Sequence, residues 1–197
     1  MSALGQDRRE EILQIATRLF YENGFQSVGI RMIADEVGIQ PSSLYYHFSS
    51  KEEILFQIAL RATNDFVESL TETLQRSGDR VGSLKSIVRH YVKYFADHQL
   101  AQRVVERESR ELSGIHRKEI RAAQRSYVDK LTDFVTEGTV EGRLNVRNPA
   151  IATRALLDML NHFSRWFEPR PEMGINEFAD LYAELIIDGL LGARSRS

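Results

Sequence analysis

The chain is predicted to be all-α, and three observations predict it. Apolar residues recur at three- and four-residue steps along most of its length. No stretch alternates apolar and polar residues over the length of a strand. Only four prolines interrupt the 197 residues. The first observation calls for helices with one buried stripe, and the other two leave little room for sheets or frequent breaks.

The first helix is expected from Asp7 to Asn23, with Ile12, Ile15, Ala16, Leu19 and Phe20 on one face and Gly24 ending it. A second runs from about Gly29 to Val37 and buries Ile30, Ile33, Ala34 and Val37. Gly38-Ile39 makes the next turn, because glycine tolerates the left-handed backbone of a tight corner. Gln40-Pro41 opens a third helix, where proline's missing N–H costs nothing. Leu44 and Phe48, four apart, point inward, which leaves Ser42, Ser43, Tyr45, Tyr46 and His47 largely on the other faces. Two short helices at a tight turn, the second with outward hydrogen-bonding and aromatic groups, have the geometry that reads a DNA major groove.

Ser50 opens a fourth helix as a capping box, with Glu53 placed to reach back to the cap, and the helix continues to about Gln75. Ser77-Gly78-Asp79 and Gly82 form the clearest break in the chain. Beyond it, helices are expected over Leu84–Ala96, Leu100–Leu112, Ile115–Glu141, Pro149–Phe167 and Ile175–Leu191, with Pro169-Arg170-Pro171 enforcing a loop between the last two. The head is assigned to residues 1–55 and a larger body to 56–197.

The apolar share of 42% and charged share of 27% are those of an ordinary water-soluble globule. The absence of cysteine excludes a disulfide framework and thiolate chemistry. No apolar run suits a signal peptide or a membrane span, so a cytoplasmic protein with no membrane partner is expected. The net charge of −2 excludes a broad positive field. In the first sixty residues Arg8, Arg9, Arg18, Arg31 and Lys51 face a larger set of acids, among them Glu10, Glu11, Asp35, Glu36, Glu52 and Glu53. DNA affinity would have to come from a few placed cations, helix N-termini and doubling in a dimer.

The segment from Arg9 to about Leu55 resembles the DNA-binding head of the TetR (tetracycline-repressor-like) family. The residues that carry the resemblance are Ile12, Ala16, Phe20, Gly24-Phe25, Ile33-Ala34, Val37-Gly38-Ile39, Leu44-Tyr45-Tyr46-His47-Phe48 and Lys51-Glu52. It implies a helix-turn-helix head, a helical ligand-binding and dimerisation body, and a homodimeric repressor on a palindromic operator. It places Gln40, Ser42, Ser43, Tyr45, Tyr46 and His47 at bases and phosphates, with Lys51 and Arg31 on the DNA backbone. Many relatives open the second helix with threonine or serine, where this chain has Val28-Gly29.

The resemblance extends more weakly to the body. The last two helices would pair with their symmetry mates as a four-helix bundle, through positions such as Ala152, Ala155, Leu156, Met159, Ala179, Tyr182, Ala183, Ile186 and Leu190. The same positions also suit an intrachain core. Asn161-His162 and Arg165-Trp166-Phe167 are similar to regulators whose effectors are acyl-coenzyme A thioesters. With Arg107 and Arg110 among the arginines of 106–125, they form the expected ligand set, since a guanidinium grips phosphate with two bonds. A solvated face of alternating Arg and Glu gives the same spacing.

No cofactor, metal or catalytic group is expected. Asp158 and His162, four apart, and Asp97-His98 are pairs without a third ligand, and no nucleophile or phosphate-loop motif occurs. The rival reading is a helical enzyme or small-molecule-binding protein that does not bind DNA.

Overall fold

A computed structural model describes residues 3–75, 79–163, 167 and 173–190. Along the chain run α1 (Ala3–Asn23), α2 (Ile30–Val37), α3 (Pro41–His47), α4 (Lys51–Gln75), α5 (Arg80–Asp97) and α6 (Gln99–Glu108). A 3-10 turn (Ser109–Glu111), α7 (Gly114–Val140), α8 (Pro149–His162) and α9 (Ile175–Glu184) follow. No strand forms among the described residues.

The helix boundaries have local causes. Gly24 and Gly38 end α1 and α2 with φ of 79° and 74°, in the left-handed region. Past Gly38, the Ile39 N–H returns to the Ala34 carbonyl at 2.9 Å, which closes the helix end. Asn148 caps α8 by accepting from the Ile151 N–H at 3.1 Å, with Pro149 at the first helical position. At α4 the Glu53 N–H donates to Ser50 Oγ at 3.0 Å. The expected return reach of the Glu53 side chain does not form: its carboxylate accepts from Gln57 and pairs with His116.

The chain divides into two compact units, Met1–Asn64 with Gln99–Arg121, and Asp65–His98 with Ala122–Ser197. They interleave along the sequence rather than meeting at one cut after residue 55. In the first unit α6 packs along α1, and α1, α2 and α3 pack in succession. Its core joins Ile12, Phe20, Ile33, Leu44 and Phe48 to Ile54 and Leu55 of α4, Val104 of α6 and Leu112 and Ile120 beyond it.

The core of the second unit is built on α5, whose Leu84, Ile87, Val88, Tyr91, Val92 and Phe95 are buried. Phe66 and Leu70 of α4, Leu131 and Val135 of α7, Leu156 and Leu160 of α8, and Ala179 and Ala183 of α9 complete it. Phe163, fully buried, contacts Tyr91, Phe95 and Phe167 through tilted and edge-on rings.

The structure refines several boundaries. The first helix begins earlier, at Ala3, and the segment expected as Leu100–Leu112 tightens to a 3-10 turn at Ser109. The last helix changes to π-helical winding over Leu185–Leu190. The proline loop at 169–171 lies outside the described residues. Of the positions read as dimer packing, Leu156, Ala179, Tyr182, Ala183 and Ile186 belong to the core of the second unit. Among the described residues, the large apolar side chains left outward there are Val140, Ile151, Leu181 and Leu185.

Candidate nucleic-acid interface and body cavity

The α2–α3 corner shows one wall to the core and another to solvent. Leu44 is fully buried and Phe48 nearly so, and burying each contributes roughly 1.5–3 kcal/mol at most. On the outer wall Tyr46 is 88% exposed and Tyr45 54%. Ser42, Ser43, Gln40 and Arg31 are also exposed, while His47 is half-buried and meets Tyr46 edge-on at 5.4 Å. The expected DNA set thus shares the first unit, on α2, α3 and the first residue of α4. Arg9 holds the end of α3 from behind: its guanidinium lies 4.2 Å over the Phe48 ring and donates to the His47 carbonyl at 2.6 Å.

Lys51 is engaged inside the fold. Its ammonium lies 4.2 Å over the Phe25 ring and donates to the carbonyls of Phe25 (2.7 Å) and Gln26 (3.5 Å). Burial holds its pKa below the usual lysine range, against the pull of Glu111.

Residues 107–117 fasten this unit in three places. Arg107 donates to the carbonyls of Phe20 and Tyr21 at the end of α1, and pairs at 2.6 Å with Glu108, a buried carboxylate. Glu111 accepts from Gln26. The Ser113 N–H and His116 both donate to Glu52. Neither this strap nor Arg9 was found from sequence, and no local signal could have revealed them. The partners lie 38 to 87 residues apart.

The expected ligand residues divide between the two units. Arg107 and Arg110 fall in the first unit, Asn161 and His162 in the second. Arg165 and Trp166 lie outside the described residues. Arg107 donates to the Phe20 and Tyr21 carbonyls and to Glu108 within its own unit. Arg117 is likewise held by the carbonyls of Arg110 and Leu112. Arg110 reaches solvent beside Glu111.

The second unit contains a cavity of about 660 Å³ lined by Met159, His162, Met173, Phe178, Leu181, Tyr182 and Leu185. Its walls are apolar apart from two groups. Tyr182 donates to the Met159 carbonyl at 2.9 Å, and burial pushes its pKa up to about 12. His162 Nδ1 lies 3.0 Å from the Asp158 carbonyl. That oxygen can only accept, so Nδ1 is the donor. Asn161 serves the core instead, accepting from the Tyr91 hydroxyl at 2.8 Å and also bonding Tyr127. Burial raises the pKa of Tyr127, and the Asn161 bond opposes the rise. No group of three potential metal ligands occurs among the described residues.

A two-helix corner with an outward polar and aromatic wall, in a chain that also has a helical body with an apolar cavity, defines a helix-turn-helix regulator. Residues 12–58 match the family model for bacterial regulatory proteins of the tetR family, and residues 77–190 match that for the tetracyclin repressor-like C-terminal domain. The chain belongs to the TetR family, whose members are DNA-binding transcriptional regulators, not enzymes. Among its relatives, the transcriptional repressor KstR2 of Mycolicibacterium smegmatis is 27% identical over 93% of this chain and 90% of its own. The fatty acid metabolism regulator protein of Bacillus subtilis is 25% identical over 68% of this chain and 69% of its own. Among solved structures, the TetR-family regulator PfmR of Thermus thermophilus has a TM-score of 0.83 at 30% identity, covering 94% of this chain and 99% of that one. AibR, solved with isovaleryl coenzyme A and operator DNA, shares the fold with a TM-score of 0.81 at 24% identity, covering 90% of this chain and 97% of its own.

Proposed function

We propose that this regulator is a homodimeric repressor that places α3 in successive major grooves of a palindromic operator and is released by a small-molecule effector with an apolar acyl chain. One observation carries the DNA reading: Tyr45 and Tyr46 stand in solvent on the same short helix whose Leu44 is wholly buried. An exposed tyrosine pair beside exposed serines offers ring faces and hydroxyls together, the mix a groove-reading helix uses. Ser42, Ser43, Tyr45, Tyr46 and His47 serve as base and phosphate contacts, with Gln40 and Arg31 at the flanks. Lys51 has one ammonium proton left for a phosphate after its two carbonyls.

Dimerisation is assigned to α8 and α9, where Ile151 and Leu181, with Leu185 just beyond, are 65%, 49% and 65% exposed. The effector is assigned to the cavity beside Met159 and Phe178, whose walls fit an acyl chain. An acyl thioester is the favoured class, in keeping with the fatty acid metabolism regulator among the relatives. The expected site of action is the cytoplasm. No helix among the described residues is long and apolar enough to cross a membrane.

Selection of bound duplexes from a random library tests the DNA reading, and the expected product is a palindrome with half-sites about one helical turn apart. No enrichment at low salt would sink it. Titrating acyl-coenzyme A thioesters of increasing chain length into the protein–duplex complex tests the effector. Release should depend on the acyl chain, and free coenzyme A should be inert.

A further inference from the structure

Glu52 and Glu53 lie side by side in the first turn of α4, and both face one imidazole. His116 Nδ1 is 2.8 Å from a Glu52 oxygen, and its Nε2 is at ion-pair distance, 3.5 Å, from Glu53. The ring is stacked on Phe56, with centroids 4.2 Å apart and planes within 14°. The Ser113 N–H donates to the same Glu52 oxygen at 2.7 Å. A neutral imidazole has one N–H and satisfies one carboxylate, whereas an imidazolium donates to both. Two adjacent carboxylates left facing each other's charge would otherwise loosen the turn that follows the recognition helix.

Near the pair in sequence, the other charged groups are Lys51 on α4, Arg110 and Glu111 before α7, and Arg117, Lys118 and Glu119 on α7. Lys51 precedes the two acids on α4 and is held at Phe25 and Gln26. Arg110 and Glu111 belong to the turn before α7, and Glu111 is paired with Gln26. Arg117 is held by two carbonyls. Among these groups, His116 is the one histidine, and it lies between two acids. The bond from Ser113 holds the Glu52 carboxyl below its ordinary range, with His116 adding to the effect, so the acid stays charged near neutral pH.

We propose that His116 is a positioning residue for DNA binding: as an imidazolium it bridges Glu52 and Glu53 and fixes the first turn of α4, and with it the corner that follows α3. The inference rests on α3 being the DNA reader. Its consequence is a proton-linked operator affinity, higher when His116 is charged.

The test is fluorescence anisotropy with the duplex that the wild-type protein enriches from a random library, at about pH 6 and about pH 8. Each protein is measured as it stands and with His47→Asn, which removes the other histidine near the interface. The wild type should bind roughly three- to tenfold more tightly at the lower pH, as expected for one linked protonation. With His116→Gln that slope should disappear from the His47→Asn background. Glu53→Gln, which leaves the Glu52 bond in place, should reduce it. The same slope in the wild type and in both variants, with binding intact, would overturn the role of His116 alone. Failure of the wild type to enrich any duplex from the library would overturn the DNA reading together with it.

Discussion

The Lys51 ammonium lies over the ring of Phe25 and donates to the carbonyl of the same residue, so one lysine closes the loop between α1 and α2 from the start of α4. A residue expected to meet DNA is thus also a brace of the fold. Removing it should affect stability and affinity together.

Lys51→Met keeps the aliphatic stem and loses the charge and donors. It should cost about 1–2 kcal/mol of stability, the combined worth of a partly desolvated cation–π contact and a charged hydrogen bond. Tyr46→Ala should stay within about 0.5 kcal/mol of wild type, since that side chain is outside the core. Urea denaturation separates the two. Operator selection should then show that Tyr46→Ala relaxes sequence preference, while Lys51→Met weakens binding to all sequences alike.

Gly38→Ala tests the corner itself. A Cβ there meets nothing within 4 Å, so the cost is that of the backbone at φ +74° alone. About 1 kcal/mol of lost stability is expected, with Gly38→Asn costing less. A thermal melt showing no loss would mean that the corner relaxes in solution.

Thr153 is fully buried on α8, and its hydroxyl has no hydrogen-bond partner among the described residues. Thr153→Val preserves the shape and removes the unsatisfied group. It should be neutral or stabilising by up to about 1 kcal/mol. A clear loss in the urea midpoint would show that the hydroxyl is used in solution.

Arg80 stacks 4.8 Å from the Phe134 ring and bonds Glu137 and Glu141. The Arg80 bond holds the Glu141 carboxyl below its ordinary 4.5. As pH falls, the unfolded chain therefore takes up this proton first. The contribution is complete above about pH 4.5 and disappears as acid protonates the folded carboxylate. Glu141→Gln should thus lower the urea midpoint at about pH 6, and the gap should close as acid protonates the folded carboxylate. The difference should shrink in high salt, because the pair is open to solvent.

The corner was legible in the sequence because its causes are local. Glycine at the turn, proline at the first helical position and an inward pair four apart act within a dozen residues, and the structure builds α2 and α3 from them. The body was legible only as helices. Arginine at helical spacing looks alike on a solvated face, in a ligand site and on a carbonyl clamp. The carbonyls that Arg107 meets at the end of α1 become its neighbours only on folding.

From its sequence alone, then, this chain is an all-helical regulator with a helix-turn-helix head, because periodicity, turn chemistry and capping act between near neighbours. Tertiary structure decided which charges are free to meet DNA. It turned Lys51 inward, spent Arg107 on the end of α1 and set His116 between Glu52 and Glu53. Those pairings join residues 26 to 86 positions apart, and a buried or half-buried charge takes the partner that packing brings to it.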